Sequence, residues 1–202
     1  MLDADFFHRW MTVTAATVER EAERLTALDS PIGDADHGIN LRRGFTAVNA
    51  TLEKEAPDTP GAVLTLAGRQ LISTVGGASG PLYGTLLRRT GKALGDSAEV
   101  SEEQFAQALR AGVDAVMTLG GAAPGDKTMV DALVPAVDAL PDGFTAARAA
   151  AEAGAEATIP LQARKGRASY LGERSIGHQD PGATSVALLI AGLVEVAEAA
   201  GE

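Results

Sequence analysis

The sequence predicts an all-α protein, an antiparallel barrel or bundle of about eight helices. Three observations carry this. Apolar residues recur at helical spacing through most of the chain, and no segment sustains an alternating pattern rich in β-branched residues, so essentially no sheet is expected. Helix start signals stand at short intervals, which favours antiparallel neighbours. Aromatics make up only 4% of the residues, so burial must come from small aliphatic side chains packed closely, which suits helix against helix.

The first helix, Asp3 to Leu28, is read from Phe6, Phe7, Trp10, Val13, Ala16 and Val18. A loop rich in Asp and Gly runs from Asp29 to Gly38, and Asn40 to Glu55 reads helical again. Thr59 followed by Pro60 is an N-cap with proline at the first helical position, opening a third helix to about Val75. The glycine-rich segment 76–80 breaks it, and a fourth helix runs from Pro81 to about Leu94. Ser101 with Gln104 forms a capping box for a fifth, ending at Gly120-Gly121. The sixth spans roughly Thr128 to Leu140, and Pro141-Asp142-Gly143 turns the chain into a seventh, Thr145 to Ala163, whose alanine run signals helix propensity. The longest irregular stretch, Arg164 to Pro181, precedes a last helix from Gly182 to Ala200.

A length of 202 residues suits one domain covering 1–202, because halves would each be marginal in core size. The net charge of −10 lacks the cationic footprint that nucleic acid or an anionic membrane requires. No cysteine is present, which excludes a disulfide scaffold, thiolate metal ligands and a cysteine nucleophile, and a cytoplasmic protein fits best. Met1 to Arg9 has no signal-peptide pattern. The most apolar run, Val186 to Val194, is too short for a bilayer that needs roughly 20 residues.

The segment Leu28-Asp29-Ser30-Pro31-Ile32-Gly33-Asp34-Ala35-Asp36-His37-Gly38-Ile39-Asn40 concentrates carboxylates. Two unit charges about 5 Å apart at an effective dielectric near 20 repel by on the order of 3 kcal/mol, so a cation should compensate. No Lys or Arg lies in the loop, and an oxygen-only donor set points to a hard ion such as magnesium. Solvated turn residues and helix caps are the competing reading. An EF-hand starting at Asp34 fails, because Gly38 and Phe45 stand where oxygen ligands are required.

Gly76-Gly77-Ala78-Ser79-Gly80 at a helix start offers unpaired amides to an anion, or is a plain turn. Gly125-Asp126-Lys127-Thr128 resembles a Walker A loop superficially, but Asp intrudes before Lys and the segment follows a helix, so the P-loop is rejected. Arg164, Lys165, Arg167 and Arg174 place four of 17 cationic residues in one loop of an acidic chain, where a phosphate could be met or an acidic partner docked. Of the three histidines only His37 belongs with the acidic loop; His8 reads as a helix-surface residue and His178 as a loop hydrogen-bonder.

Four strings taken together resemble the nucleotide-binding L subunit of dihydroxyacetone kinase over nearly the whole chain: Gly33 to Gly38, Gly76 to Gly84, Gly125 to Met129, and Lys165 to Ser175 continuing through Asp180 to Ser185. The resemblance implies an eight-helix antiparallel barrel that holds ADP or ATP at one end through two Mg2+ ions. It places metal ligation on Asp29, Asp34 and Asp36. Contacts to phosphates or adenosine fall on His37, Gly38, Ile39, Asn40, Ala78, Ser79, Gly120, Thr128, Met129, Arg167, Asp180, Pro181 and Gly182, with Arg174 a rival to Arg167. No catalytic group beyond these ligands is implied.

In such a family the ketose is held on a separate K subunit, and a phosphohistidine on a phosphotransferase-system M subunit recharges the bound nucleotide. Phosphoenolpyruvate is then the ultimate donor, and dihydroxyacetone phosphate the product. A chain carrying only the L part resembles this type more than the fused, ATP-exchanging one. Two other readings stay open: the nucleotide part of an ATP-dependent kinase for a related ketose or other acceptor, and a nucleotide-state sensor acting on a transcription regulator.

Overall fold

In the computed structural model, which describes residues 1–200, eight α-helices follow one another: α1 (Ala4–Asp29), α2 (His37–Glu55), α3 (Pro60–Thr74), α4 (Ser79–Leu94), α5 (Glu102–Gly120), α6 (Val130–Ala139), α7 (Phe144–Ala157) and α8 (Pro181–Ala200). Each packs on its sequence neighbours, and α8 returns to α1, so the ring closes as a barrel. The thinnest seam is α5 against α6, and the tightest is α3 against α4. Glycine explains the tight one: a Cβ on Gly68 or Gly84 would lie 2.7 Å from the other's carbonyl oxygen, so the two backbones touch.

Sheet is close to absent among the described residues, as expected, and is confined to one short pair. Leu2–Asp3 (β1) pairs antiparallel with Glu99–Val100 (β2), pinning the N-terminus beside the start of α5. Two residues per strand are too few to show as alternation. The predicted caps are present: Thr59 accepts from the Ala62 amide, and Ser101 and Gln104 form a reciprocal capping box. Boundaries of α2, α4 and α7 move, besides that of α6. α2 begins at His37, three residues before Asn40, and α4 begins at Ser79, two before Pro81. The seventh helix stops at Ala157 instead of Ala163, because Pro160 has no amide to donate and biases Ile159 away from helix. Part of the stretch expected to be irregular is wound as 3-10 turns, Arg167–Ser175, with a kink at Gly172.

One end of the barrel is hydrocarbon. Phe6, Phe7, Trp10, Phe105 and Phe144 meet there through edge-on and stacked rings, and all lie within the buried core. The apolar run of α8 is longer than its central nine residues suggest. Pro181–Ala199, mean hydropathy 1.6, is long and apolar enough to cross a membrane by length and composition, yet the helix lies against α1, α6 and α7 as part of the core. Antiparallel order sends the starts of α2, α4, α6 and α8, and the ends of α1 and α5, to the opposite end of the barrel, where the loops are polar.

Candidate functional site

The acidic loop is shaped by Asp29, the last residue of α1 and itself buried. Its Oδ2 accepts from the Asp36 amide at 3.0 Å and the His37 amide at 3.3 Å, so a side chain from α1 satisfies the first amides of α2. Its backbone oxygen accepts from the Gly33 amide at 2.6 Å. A Cβ on Gly33 would stand 1.9 Å from Asp29 Oδ1, so only glycine lets the loop fold back over the carboxylate. Ala35 takes a left-handed φ of 59°, which turns Asp34 and Asp36 to the same side as Asp29. One carboxylate oxygen from each of the three lies within 4.8 Å of the others. Three hard oxygen donors at that spacing fit a divalent ion such as Mg2+.

The triad faces a cavity of about 780 Å³. Asp29, Asp34 and Asp36 line it with His37, Ala78, Ser79, Gly120, Thr128, Met129, Arg167, Asp180, Pro181 and Gly182, so ten of the thirteen expected nucleotide positions and all three expected metal positions converge from five helices and four of the connections between helices. The other three do not line it. Gly38 sits against α1, where a Cβ would meet the Ala22 carbonyl oxygen at 1.9 Å; Asn40 is buried and accepts from Arg43; Ile39 is exposed. Of the rival cations, Arg167 lines the cavity and its Nε lies 2.9 Å from Asp34 Oδ2, whereas Arg174 is outside.

Positive electrostatics come from helix starts as well as side chains. α4 opens at Ser79 with no side-chain cap, so its first-turn amides and dipole end are available to an anion at the cavity wall. Arg164 and Lys165 join Arg167 on the opposite wall.

A buried polar chain backs the site. The His37 ring contacts Ser79 Oγ at 3.3 Å through Nδ1 and Ser185 Oγ at 2.9 Å through Nε2, and the Tyr83 hydroxyl lies 2.7 Å from the same Ser185 oxygen. Ser185 donates to the Gly182 carbonyl, which leaves its oxygen to accept from Tyr83 and from a protonated His37 Nε2. Burial lowers the His37 pKa despite the three nearby aspartates, and burial also pushes the Tyr83 hydroxyl up, so both are neutral near pH 7. Asp180, buried at the start of α8, accepts from the Ala183 amide at 2.7 Å; desolvation pushes its pKa up to about 7, with Asp131 adding to the effect and Lys127 opposing it.

Tyr83, Ser185 and Lys127 were not among the expected site residues. All three lie inside the strings that carry the resemblance, but no rule of spacing says where such a side chain points.

An α-barrel with a carboxylate triad, a helix start and guanidinium and ammonium groups around one cavity is suited to a metal-bound polyphosphate. The chain belongs to the DAK2 domain family, which matches residues 31–195. It is 48% identical over 191 residues, 90% of this chain and 91% of the relative, to the ADP-binding subunit DhaL of the PEP-dependent dihydroxyacetone kinase of Escherichia coli (strain K12). It is 41% identical over 206 residues, 96% of this chain and 95% of the relative, to the corresponding subunit of kinase 2 of Listeria innocua. The dihydroxyacetone kinase of C. freundii, solved in complex with AMP-PNP and Mg2+, superposes with a TM-score of 0.75 at 29% identity, covering 93% of this chain and 33% of that chain. This chain therefore spans about a third of that kinase.

Proposed function

We propose that this chain, as one domain, is the ADP-binding phosphotransfer subunit of a phosphoenolpyruvate-dependent dihydroxyacetone kinase. The observation that carries this is the convergence of Asp29, Asp34 and Asp36 with Arg167 and the start of α4 on one cavity. The names of its relatives at 48% and 41% identity supply the reaction. It works in the cytoplasm with a K subunit that carries dihydroxyacetone and an M subunit whose phosphohistidine recharges the nucleotide.

Asp29, Asp34 and Asp36 hold two Mg2+ ions. Such ions supply charge neutralisation on the phosphate oxygens and leave triad plus ADP at roughly −2 instead of about −6. The protein's own part is alignment, which is most of what phosphoryl transfer asks. Asp29 is held by two backbone amides and therefore cannot swing, which fixes the position of the cluster. The amides of Ala78 and Ser79 and the Arg167 guanidinium meet phosphate oxygens. Gly120, Thr128, Met129 and Pro181-Gly182 form the adenosine wall. His37, neutral, orients Ser79.

A resident coenzyme leaves a simple trace. Purified chain denatured without added nucleotide should release ADP in near-equimolar amount, read by chromatography. An empty protein with rapidly exchanging ATP would instead indicate a conventional ATP-dependent kinase.

A further inference from the structure

Lys127 sits in the string that looks like a Walker A loop and lines the cavity, yet its ammonium is engaged by backbone carbonyls. Its side chain is 1% exposed, and its backbone takes a left-handed φ of 63°, a conformation unfavourable to an L side chain that here turns the stem inward. Nζ reaches five backbone carbonyl oxygens: Thr158 at 2.9 Å, Ile159 at 3.5 Å, Leu161 at 3.0 Å, Ser175 at 2.8 Å and His178 at 2.5 Å. An ammonium has three hydrogens to donate, so five converging carbonyl dipoles exceed hydrogen-bond need and act as a cage for a charge.

The five carbonyls fall in two groups. Thr158, Ile159 and Leu161 follow the end of α7, and Ser175 and His178 precede the start of α8. They are the two sides of the neck of one long loop. Further bonds lace that neck: the Gly177 amide to the Ile159 carbonyl at 2.8 Å, the Ala163 amide to Ser175 Oγ at 2.9 Å, and the Asp180 amide to Thr158 Oγ1 at 2.9 Å. Between the two sides, Arg164, Lys165, Arg167 and Tyr170 line the cavity; just past the neck stand Asp180, Pro181 and Gly182, and next to Lys127 itself stand Thr128 and Met129. One buried charge thus ties together three stretches of cavity wall.

We infer that Lys127 is a positioning residue of the nucleotide site, an internal cation that closes the neck of the 158–178 loop and sets where Arg167 and the Asp180-Pro181-Gly182 turn stand. The inference rests on the nucleotide reading above only for its effect on ADP. The clamp itself is read independently, from loop protection.

The test uses Lys127→Met, which keeps the stem and removes the charge, and Lys127→Gly, which also relieves the left-handed backbone and opens the cage. Both should weaken Mg-ADP binding by about 10–100-fold, the range for residues that orient the ligands of a site. Both should lose hydrogen-exchange protection at the Ala163 and Gly177 amides while α1 to α5 keep theirs. Ammonium chloride should restore both readouts in Lys127→Gly, and choline chloride at equal ionic strength should not. Wild-type affinity and protection in Lys127→Met would overturn the inference, as would rescue by choline equal to that by ammonium. Should neither variant fold, the wild-type chain decides: it has four lysines, and one should give a side-chain ammonium signal in slow exchange with water. Its absence would overturn the cage. If wild-type chain binds no Mg-ADP at all, the functional reading falls while loop protection still decides Lys127.

Discussion

The two ends of the barrel are made by opposite rules. At the aromatic end, α1, α3 and α5 begin with their own side-chain caps, Asp3, Thr59 and Ser101, and five aromatic rings close the core. At the other end, α2, α4 and α6 begin with no side-chain cap from their N-cap residues, carboxylates crowd within 4.8 Å, and Ala35 and Lys127 hold left-handed backbone. The exceptions are informative. α7 starts uncapped at Gly143 and Ala56 is left-handed at the end of α2, both in the aromatic half, and α8 is capped by Asp180 in the polar half. The polar end therefore carries one open helix start, at α4, and repelling charges that a metal-bound polyphosphate would satisfy, and the aromatic end supplies the stability that tolerates them.

Substitutions at the two ends should then fail in different ways. Asp36→Ala is expected to lower phosphoryl transfer by about a hundred- to a thousandfold, the range for removing one preorganised electrostatic group, and to loosen Mg-ADP. Its circular dichroism and thermal midpoint without ligand should match wild type or exceed it, since a repelling charge is gone. Phe105→Ala is the mirror image. It should cost about 3–5 kcal/mol of stability, the usual cost of emptying a buried aromatic site, while the folded fraction keeps its ADP affinity within about twofold. An Asp36→Ala chain that transfers normally would break the division, and so would a Phe105→Ala chain that stays stable but cannot bind.

How much of this could be read from the chain follows the same division. The capped helix starts were legible because capping is local: Thr59, Ser101 and Gln104 lie within three residues of the amides they serve. The acidic triad was legible as a cluster, and the motif resemblance carried it to metal ligation. Contacts over long separations were not legible. Nothing in spacing joins Asp34 to Arg167, Tyr83 to Ser185, or Lys127 to the carbonyls of 158–178. The end of α7 was misplaced because the alanine run outweighed Pro160, and α6 proved shorter than expected, Val130–Ala139, because Asp131 turns back to accept from the Gly125 and Thr128 amides. Gly38 and Asn40, inside the motif, serve packing and a local hydrogen bond instead of lining the cavity.

Arg167 sharpens the comparison, because without ligand it spends its charge on the triad. The same guanidinium cannot pair with Asp34 and meet a phosphate in full. Arg167→Ala should therefore move two affinities in opposite directions: Mn2+ or Mg2+ alone binds a few-fold tighter, having lost a competing cation, while Mg-ADP binds about tenfold weaker, the loss of one charge-assisted hydrogen bond. Calorimetry of metal and nucleotide separately reads both. Two changes of the same sign would show that Arg167 does not exchange Asp34 for phosphate.

The smallest effect expected is at Asp180, the capped exception of the polar end. Its folded pKa of about 7 stands above the 3.8 of an ordinary aspartate. Between those values the folded chain keeps a proton that the unfolded chain has lost, so this residue makes stability fall as pH rises from about 4 to about 7, and adds no slope above that. His37, with its pKa lowered, acts in the opposite sense below its ordinary 6.5, since the unfolded chain then binds the extra proton. The wild-type profile alone mixes the two. Asp180→Asn separates them, because asparagine also accepts from the Ala183 amide but never ionises. The ligand-free thermal midpoints of wild type and Asp180→Asn should coincide near pH 4 and diverge by about 8–16 °C by pH 8, with Asn the more stable; a burial shift of a few pKa units is worth about 4 kcal/mol, and each kcal/mol about 2–4 °C at this size. Mg-ADP binding at pH 8 should not improve in step. Parallel profiles would mean that Lys127, whose ammonium charge opposes the shift, already holds Asp180 ionised across the range.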